Sequence, residues 1–194
     1  MKKILYLLFF YHSLALAQIN DVGLTLGNLT EFVANVQVDE KGGKNYIEFK
    51  PYMSFFIRHD FNESFSLLPE IGITYPMKGE SPNTKKTIYM IRLDLGYRFY
   101  DFIAKAGTAL FVTQIKGSGG TEKLNNGTSY DEFYLPAESH TARNYTINLG
   151  LEYFIIPELS VKSELFVFSM FENVSRQFSY AIALTYHFGE IHVN

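Results

Sequence analysis

Phe178-Ser179-Tyr180-Ala181-Ile182-Ala183-Leu184-Thr185-Tyr186-His187-Phe188 alternates without a break between large apolar side chains and small or polar ones. Successive side chains of an extended chain point to opposite faces. The stretch therefore predicts a strand with an apolar face, Phe178 to Phe188, and a second face of Ser179, Ala181, Ala183, Thr185 and His187. The same period recurs upstream. Tyr145, Ile147, Leu149, Leu151 and Tyr153 alternate with Asn144, Thr146, Asn148, Gly150 and Glu152. Tyr89, Ile91, Leu93, Leu95, Tyr97 and Phe99 alternate with Met90, Arg92, Asp94, Gly96 and Arg98. Phe65, Leu67, Ile71, Ile73 and Tyr75 alternate with Ser66, Glu70, Gly72 and Thr74.

Four softer segments complete the set. Residues 22–38 carry Val22, Leu24, Leu26, Phe32, Ala34, Val36 and Val38 on one face, and residues 46–58 carry Ile47, Phe49, Met53, Phe55 and Ile57. Residues 102–115 carry Phe102, Ala104, Ala106, Leu110 and Val112. Residues 159–170 carry Leu159, Val161, Leu165 and Val167, with Phe166, Phe168 and Met170 cutting across the alternation. Pro51 and Pro69 fall inside predicted strands, where each removes a ladder hydrogen bond, so bulges or strand boundaries are expected there. Eight strands result. Short connections at residues 59–64, 100–101 and 154–158 alternate with longer ones at 39–45, 76–86, 116–143 and 171–177. Residues 117–120 and 125–127, rich in Gly and Asn, read as loop.

Lys2 and Lys3 precede the apolar run at residues 4–10, and Ala15-Leu16-Ala17 supplies a small-x-small cut site. Residues 1–17 thus read as a secretory signal peptide cleaved near Ala17/Gln18, followed by a barrel domain at 18–188 and a short tail at 189–194. An exported chain with no cysteine must be stabilised by burial or by a closed hydrogen-bond network. Aromatic residues make up 16% of the chain, all Phe and Tyr, a load that favours strands. The formal net charge of −3 is dispersed, which lacks the basic footprint of a nucleic-acid binder.

The polar faces decide where the apolar ones point. They combine small residues with spaced charges of both signs: Glu48, Lys50, Arg58, Glu70, Arg92, Asp94, Arg98, Lys105, Glu152, Lys162 and Glu164. Small residues suit the crowded interior of an eight-stranded barrel, and mixed charges can pair there. The apolar faces carry aromatic residues at both ends, as interfacial girdles do. The expectation is an all-β, eight-stranded antiparallel transmembrane up-and-down β-barrel in the outer membrane of a Gram-negative bacterium. Its outer face would meet outer-membrane lipid, and the charged set would form a structural network in the lumen. A secreted soluble lipocalin-like barrel holding an apolar ligand is the competing architecture.

Tyr180-x-Ile182-x-Leu184-x-Tyr186-x-Phe188 resembles the C-terminal signal that outer-membrane assembly machinery reads. By pattern, residues 18–188 resemble small barrels of the OmpA/OmpX type, the outer membrane protein beta-barrel domain superfamily. The resemblance implies the barrel-assembly machinery as a partner during biogenesis. It also implies a group of adhesins, enzymes, small-solute channels and structural anchors, so it transfers location better than activity.

Glu138-Ser139-His140 is the tightest cluster of catalytic residue types. A lipid A-modifying hydrolase would need Ser and His within hydrogen-bond reach, but neighbours on a strand point apart, so no catalytic residue is assigned. His59, beside Asp60, is read in a short turn, and His187 in the lumen. Neither shows metal-ligand spacing, and no cofactor is expected. The lumenal charges admit limited small-solute permeability. Tyr130, Phe133, Tyr134 and Leu135, in the longest connection, form the candidate surface for an extracellular partner.

Overall fold

The computed structural model describes residues 20–30, 37–38, 44–45, 50–75, 84–125, 130–169 and 177–189. Eight antiparallel strands close into a barrel: β1 (Asp21–Thr30), β2 (Pro51–Asp60), β3 (Phe65–Thr74), β4 (Thr84–Phe99), β5 (Phe102–Gly117), β6 (Ser139–Ile156), β7 (Leu159–Phe168) and β8 (Gln177–His187). Each pairs with its sequence neighbours, and β1 pairs with β8 from Gly23↔His187 to Thr30↔Tyr180. No strand edge is left open around the ring. Two small hairpins lie outside it, Gln37–Val38 with Lys44–Asn45 and Thr121–Asn125 with Tyr130–Tyr134.

The barrel is apolar outside and carries its charged side chains inside, as the period-2 alternation places them. Leu26, Met53, Phe55, Ile71, Ile91, Leu93, Leu95, Leu149, Ile182 and Leu184 are all exposed on the outer wall. Asp21, Arg58, Glu70, Arg92, Asp94, Lys105, Glu152, Lys162 and Glu164 are all buried inside. Burying ions while exposing leucines is the inverse of a soluble barrel, and only a lipid solvent makes it favourable. Around the end with short turns, aromatic rings form a continuous arc. Phe65–Tyr97, Tyr97–Phe99, Phe99–Phe102 and Phe102–Tyr153 lie 5.0, 6.2, 5.5 and 4.9 Å apart. Tyr75, Tyr89, Tyr145 and Phe178 mark the opposite rim.

Strand lengths report the same constraint. β1, β2, β3 and β7 have 10 residues and β8 has 11, the number a tilted strand needs to cross a hydrocarbon core. β4 and β5 have 16 residues and β6 has 18. Their surplus lies on the loop side.

Several expectations from sequence are corrected. The connection read at 116–143 is largely ordered, because β5 runs to Gly117, β6 starts at Ser139 and a hairpin stands between. Gly119 and Gly120, with φ of 73° and 93°, turn the chain out of β5 toward that hairpin. The loop read at 76–86 likewise yields to β4 at Thr84. The strand read at 22–38 ends at Thr30, having already crossed, and residues 31–36 lie outside the described residues. His59 is in β2 opposite Leu67 rather than in a turn. Pro51 opens β2, the position where a missing N–H is harmless. Pro69 sits inside β3 without a register shift. The β2–β3 ladder omits the pairs at 57/69 and 58/68 and resumes at His59↔Leu67. The irregularity in the β6–β7 ladder lies instead between Phe154 and Ile156.

The lipid-facing wall gives a direct test. Leu93→Arg, on the wall's apolar band, is expected to destabilise the barrel by about 2–4 kcal/mol in reversible unfolding from lipid vesicles. Thr141→Arg, beyond the band, should change stability by less than about 0.5 kcal/mol. Equal effects at the two positions would contradict a lipid-facing Leu93.

Candidate functional site

The lumen is filled in layers. On the loop side Leu29, Tyr52, Ile88, Met90, Phe111, Phe166 and Phe168 pack across it, with Phe111 5.1 Å from Phe166 and 5.2 Å from Phe168. Phe166 and Phe168 broke the alternation of β7 in the sequence because they point inward, as this apolar cap requires.

Below the cap lies an ion network. The Arg92 guanidinium donates to Glu70 and to both oxygens of Glu164, one at 2.7 Å, and approaches Asp94 at 3.6 Å. Lys162, 1% exposed, donates to both oxygens of Glu70 at 2.9 and 3.0 Å and lies 3.7 Å from Glu164. Lys105 pairs with Glu152. Ser54 donates to Glu70, and Asn148 donates to Asp94. The fork of Arg92 is suited to clamp two carboxylates at once, and its face rests over the Phe166 ring at 5.6 Å. These residues come from β2, β3, β4, β5, β6 and β7, so the network ties most of the ring together through its interior.

The third layer lies at the short-turn end. His187 Nδ1 is 2.6 Å from Asp21, and Nε2 is 3.1 Å from Glu152 and 2.9 Å from the Ser160 hydroxyl. Asp21–His187–Ser160 has the connectivity of a hydrolase triad. Its chemistry is different, because Ser160 is 0% exposed and its hydroxyl donates to Glu152. Phe56 and Phe154 pack on the imidazole at 5.3 and 4.9 Å. A serine so enclosed cannot approach an acyl carbon. The cluster instead binds β8 to β1, β6 and β7. Sequence reading did not single out Asp21 and Ser160; the available signal was their inward parity at strand ends.

The remaining sequence candidates are placed as follows. Arg58 is buried at the same end, 3.1 Å from Asp60 and 3.9 Å from Asp21. Arg98 is half-buried over Phe154 at 5.7 Å. Lys50 precedes β2, and its backbone N–H donates to Asn28; Glu48 lies outside the described residues. Ser139 and His140 are exposed neighbours on β6 facing opposite ways, opposite Lys116 and Ile115 of β5. Tyr134 is 89% exposed on the outer hairpin, Leu135 after it is half-buried, and the backbones of Tyr130 and Phe133 belong to the same hairpin. Among the described residues no group of His, Asp and Glu could hold a metal ion.

An outer membrane protein beta-barrel domain model matches residues 4–190. The chain belongs to the outer membrane protein beta-barrel domain family. It is therefore an outer-membrane protein, and the soluble lipocalin-like alternative is set aside. No curated protein matches its sequence. Solved structures with a similar shape include the attachment invasion locus protein Ail of Yersinia pestis (11% identity, TM-score 0.49, covering 88% of this chain and 100% of that one). The N-terminal β-barrel domain of Pseudomonas aeruginosa OprF (8%, 0.46, 88% and 98%) and Neisserial surface protein A (11%, 0.48, 88% and 96%) are also similar. At these identities nothing of their binding carries over to the chain.

The ion network makes a measurable claim. Arg92→Met leaves Glu70 and Glu164 facing one another with only Lys162 between them, and should cost about 3–5 kcal/mol. Adding Glu164→Leu should recover part of that loss, with a coupling energy above about 1 kcal/mol in a double-mutant cycle. Additive effects would show that the two groups do not share a network.

Proposed function

We propose that the protein is a non-conducting, non-enzymatic outer-membrane barrel that holds a sheet and hairpin at the cell surface for contact with an extracellular partner or envelope component. One observation carries this reading: the lumen is crossed by an aromatic cap, an ion network and a His-centred cluster, while the long strands deliver polar structure to the loop side. A narrow lumen packed with paired charges and rings favours a structural role for those charges over permeation. On β6, Ser139 and His140 turn away from each other, which speaks against a lipid A hydrolase at that position.

Short turns face the periplasm in bacterial barrels and long loops face outward. Residues 61–64, 100–101 and 157–158 would then be periplasmic, and the hairpin bearing Tyr134 extracellular. β1 begins at Asp21. Signal cleavage between Ala17 and Gln18 would leave a short lead into it, and the mature N-terminus should start at Gln18 when the protein is sequenced from membranes. The barrel-assembly machinery would then receive β8 and close it on β1.

The absence of cysteine from the sequence makes the orientation easy to read. Lys123→Cys on the outer hairpin should react with a membrane-impermeant maleimide in intact cells, and Glu63→Cys only after the outer membrane is opened. The reverse pattern would invert the proposed orientation. Planar-bilayer recording should show no single-channel steps from the wild type; steps that persist in folded, purified protein would overturn the non-conducting reading.

A further inference from the structure

The loop-side surplus of β4, β5 and β6 forms a three-stranded sheet standing above the aromatic rim. Its outer face can be mapped from register alone. Tyr89, Val112 and Arg143 lie side by side, then Thr87, Gln114 and Thr141, then Lys85, Lys116 and Ser139. Tyr89 continues the lipid-facing face of β4 below, where Ile91 and Leu93 are exposed.

Three features of this face belong together. Lys85 and Lys116 are directly opposed cross-strand partners, and both are exposed. Like charges so placed repel one another. None of the nine positions is acidic, and neither lysine nor Arg143 makes an ion pair with a described residue. Glu138, which precedes Ser139, is the neighbouring acid in sequence. The polar groups between the cations are hydrogen-bonding ones, with Gln114 Nε2 donating to Ser139 at 3.2 Å. Finally, Arg143 is level with Tyr89 and Val112, and the two lysines lie four residues above them on the same faces. At roughly 3.4 Å per residue along a tilted strand this is the height of lipid headgroups.

We propose that this outer face binds the phosphate groups of outer-leaflet lipid headgroups, with Lys85, Lys116 and Arg143 as its cations. An anion between the opposed lysines removes their repulsion, and threonine, serine and glutamine side chains offer donors to the remaining phosphate oxygens. Continuity with the lipid-facing wall selects a membrane-anchored phosphate over a soluble one, because the acyl chains attached to it would lie along Ile91, Leu93 and Leu110. The proposal rests on the orientation given above, which the cysteine labelling decides independently.

The test is lipid retention by protein purified from membranes into detergent, read by native mass spectrometry. The wild type should retain bis-phosphorylated lipid A and should not retain the same lipid with both phosphates removed. Lys85→Gln/Lys116→Gln should weaken retention roughly fivefold for each cation removed, and Lys123→Gln on the outer hairpin should leave it unchanged. All three lysines are exposed, and heat-modifiable gel migration would establish that each variant is folded. Inorganic phosphate at the lipid's concentration should not compete. Equal retention by the double variant, or of the phosphate-free lipid, would overturn the site. Soluble polyphosphate binding as tightly as lipid A would overturn the lipid as its ligand.

Discussion

The pairing of β1 with β8 is the contact on which the rest of the structure depends. In hydrocarbon there is no water to satisfy backbone N–H and C=O groups, so a sheet that crosses a membrane must have no edge. The first and last strands, Asp21–Thr30 and Gln177–His187, therefore have to meet although nearly the whole barrel lies between them in the chain. They pair from Gly23↔His187 to Thr30↔Tyr180, and the Phe188 N–H extends the contact to the Val22 carbonyl at 2.8 Å. Side chains reinforce the seam from within, through the Thr25–Thr185 hydroxyl contact at 3.1 Å and the His187–Asp21 contact at 2.6 Å. The His-centred cluster is thus best understood as part of closure. It sits where β8 ends, and it connects that end to three other strands.

Closure at eight strands leaves a bore that side chains must fill without colliding, and the interior solves this by pairing large residues with absent ones. A Cβ on Gly23 would come within 2.3 Å of the Phe56 ring, and one on Gly27 within 2.8 Å of the Tyr52 ring. Gly107 makes room for Asp94 in the same way, at 2.3 Å from its carboxylate oxygen. These glycines are fitted to specific neighbours on adjacent strands. The charged layer obeys the same economy of space: Arg92 and Lys162 each contact more than one carboxylate, so a few cations bridge a larger set of acids within a narrow section.

The closing strand and the membrane-crossing parts of β3, β4 and β6 were legible because inside and outside differ in polarity wherever the wall meets lipid. Legibility failed where that contrast fails. Above the rim both faces of β6 meet water, and Ser139 through Tyr145 are exposed on either side, so an extended chain there resembled a loop. Inside the barrel, Phe166 and Phe168 are as apolar as the lipid-facing Leu165 and Val167, and parity alone could not place them. The lumenal ions were recognisable as an inward set, but their partners were not: Arg92 and Glu164 are 72 residues apart, and no local spacing encodes that contact. Asp21 and His187, 166 apart, meet only because the ring closes.

What sequence does carry, once register is known, is depth. Along the outer face of β4 every second residue reads Leu95, Leu93, Ile91, Tyr89, Thr87, Lys85; along β5 it reads Leu110, Val112, Gln114, Lys116; along β6, Leu149, Ile147, Tyr145, Arg143, Thr141, Ser139. Three strands pass independently from aliphatic residues to polar or cationic ones, two of them through tyrosine, and the changes fall within two residues of one another in register. A soluble barrel would have no reason to synchronise such a gradient across neighbouring strands. A planar interface does, because all strands cross it at once. The extra length of β4, β5 and β6 is contiguous for a related reason: beyond the interface a single long strand would have unpaired sides, whereas three neighbours satisfy one another and can stand as a sheet. The surface structure is therefore a continuation of the barrel's own ladder past the point where lipid ends, and its composition records the solvent it enters.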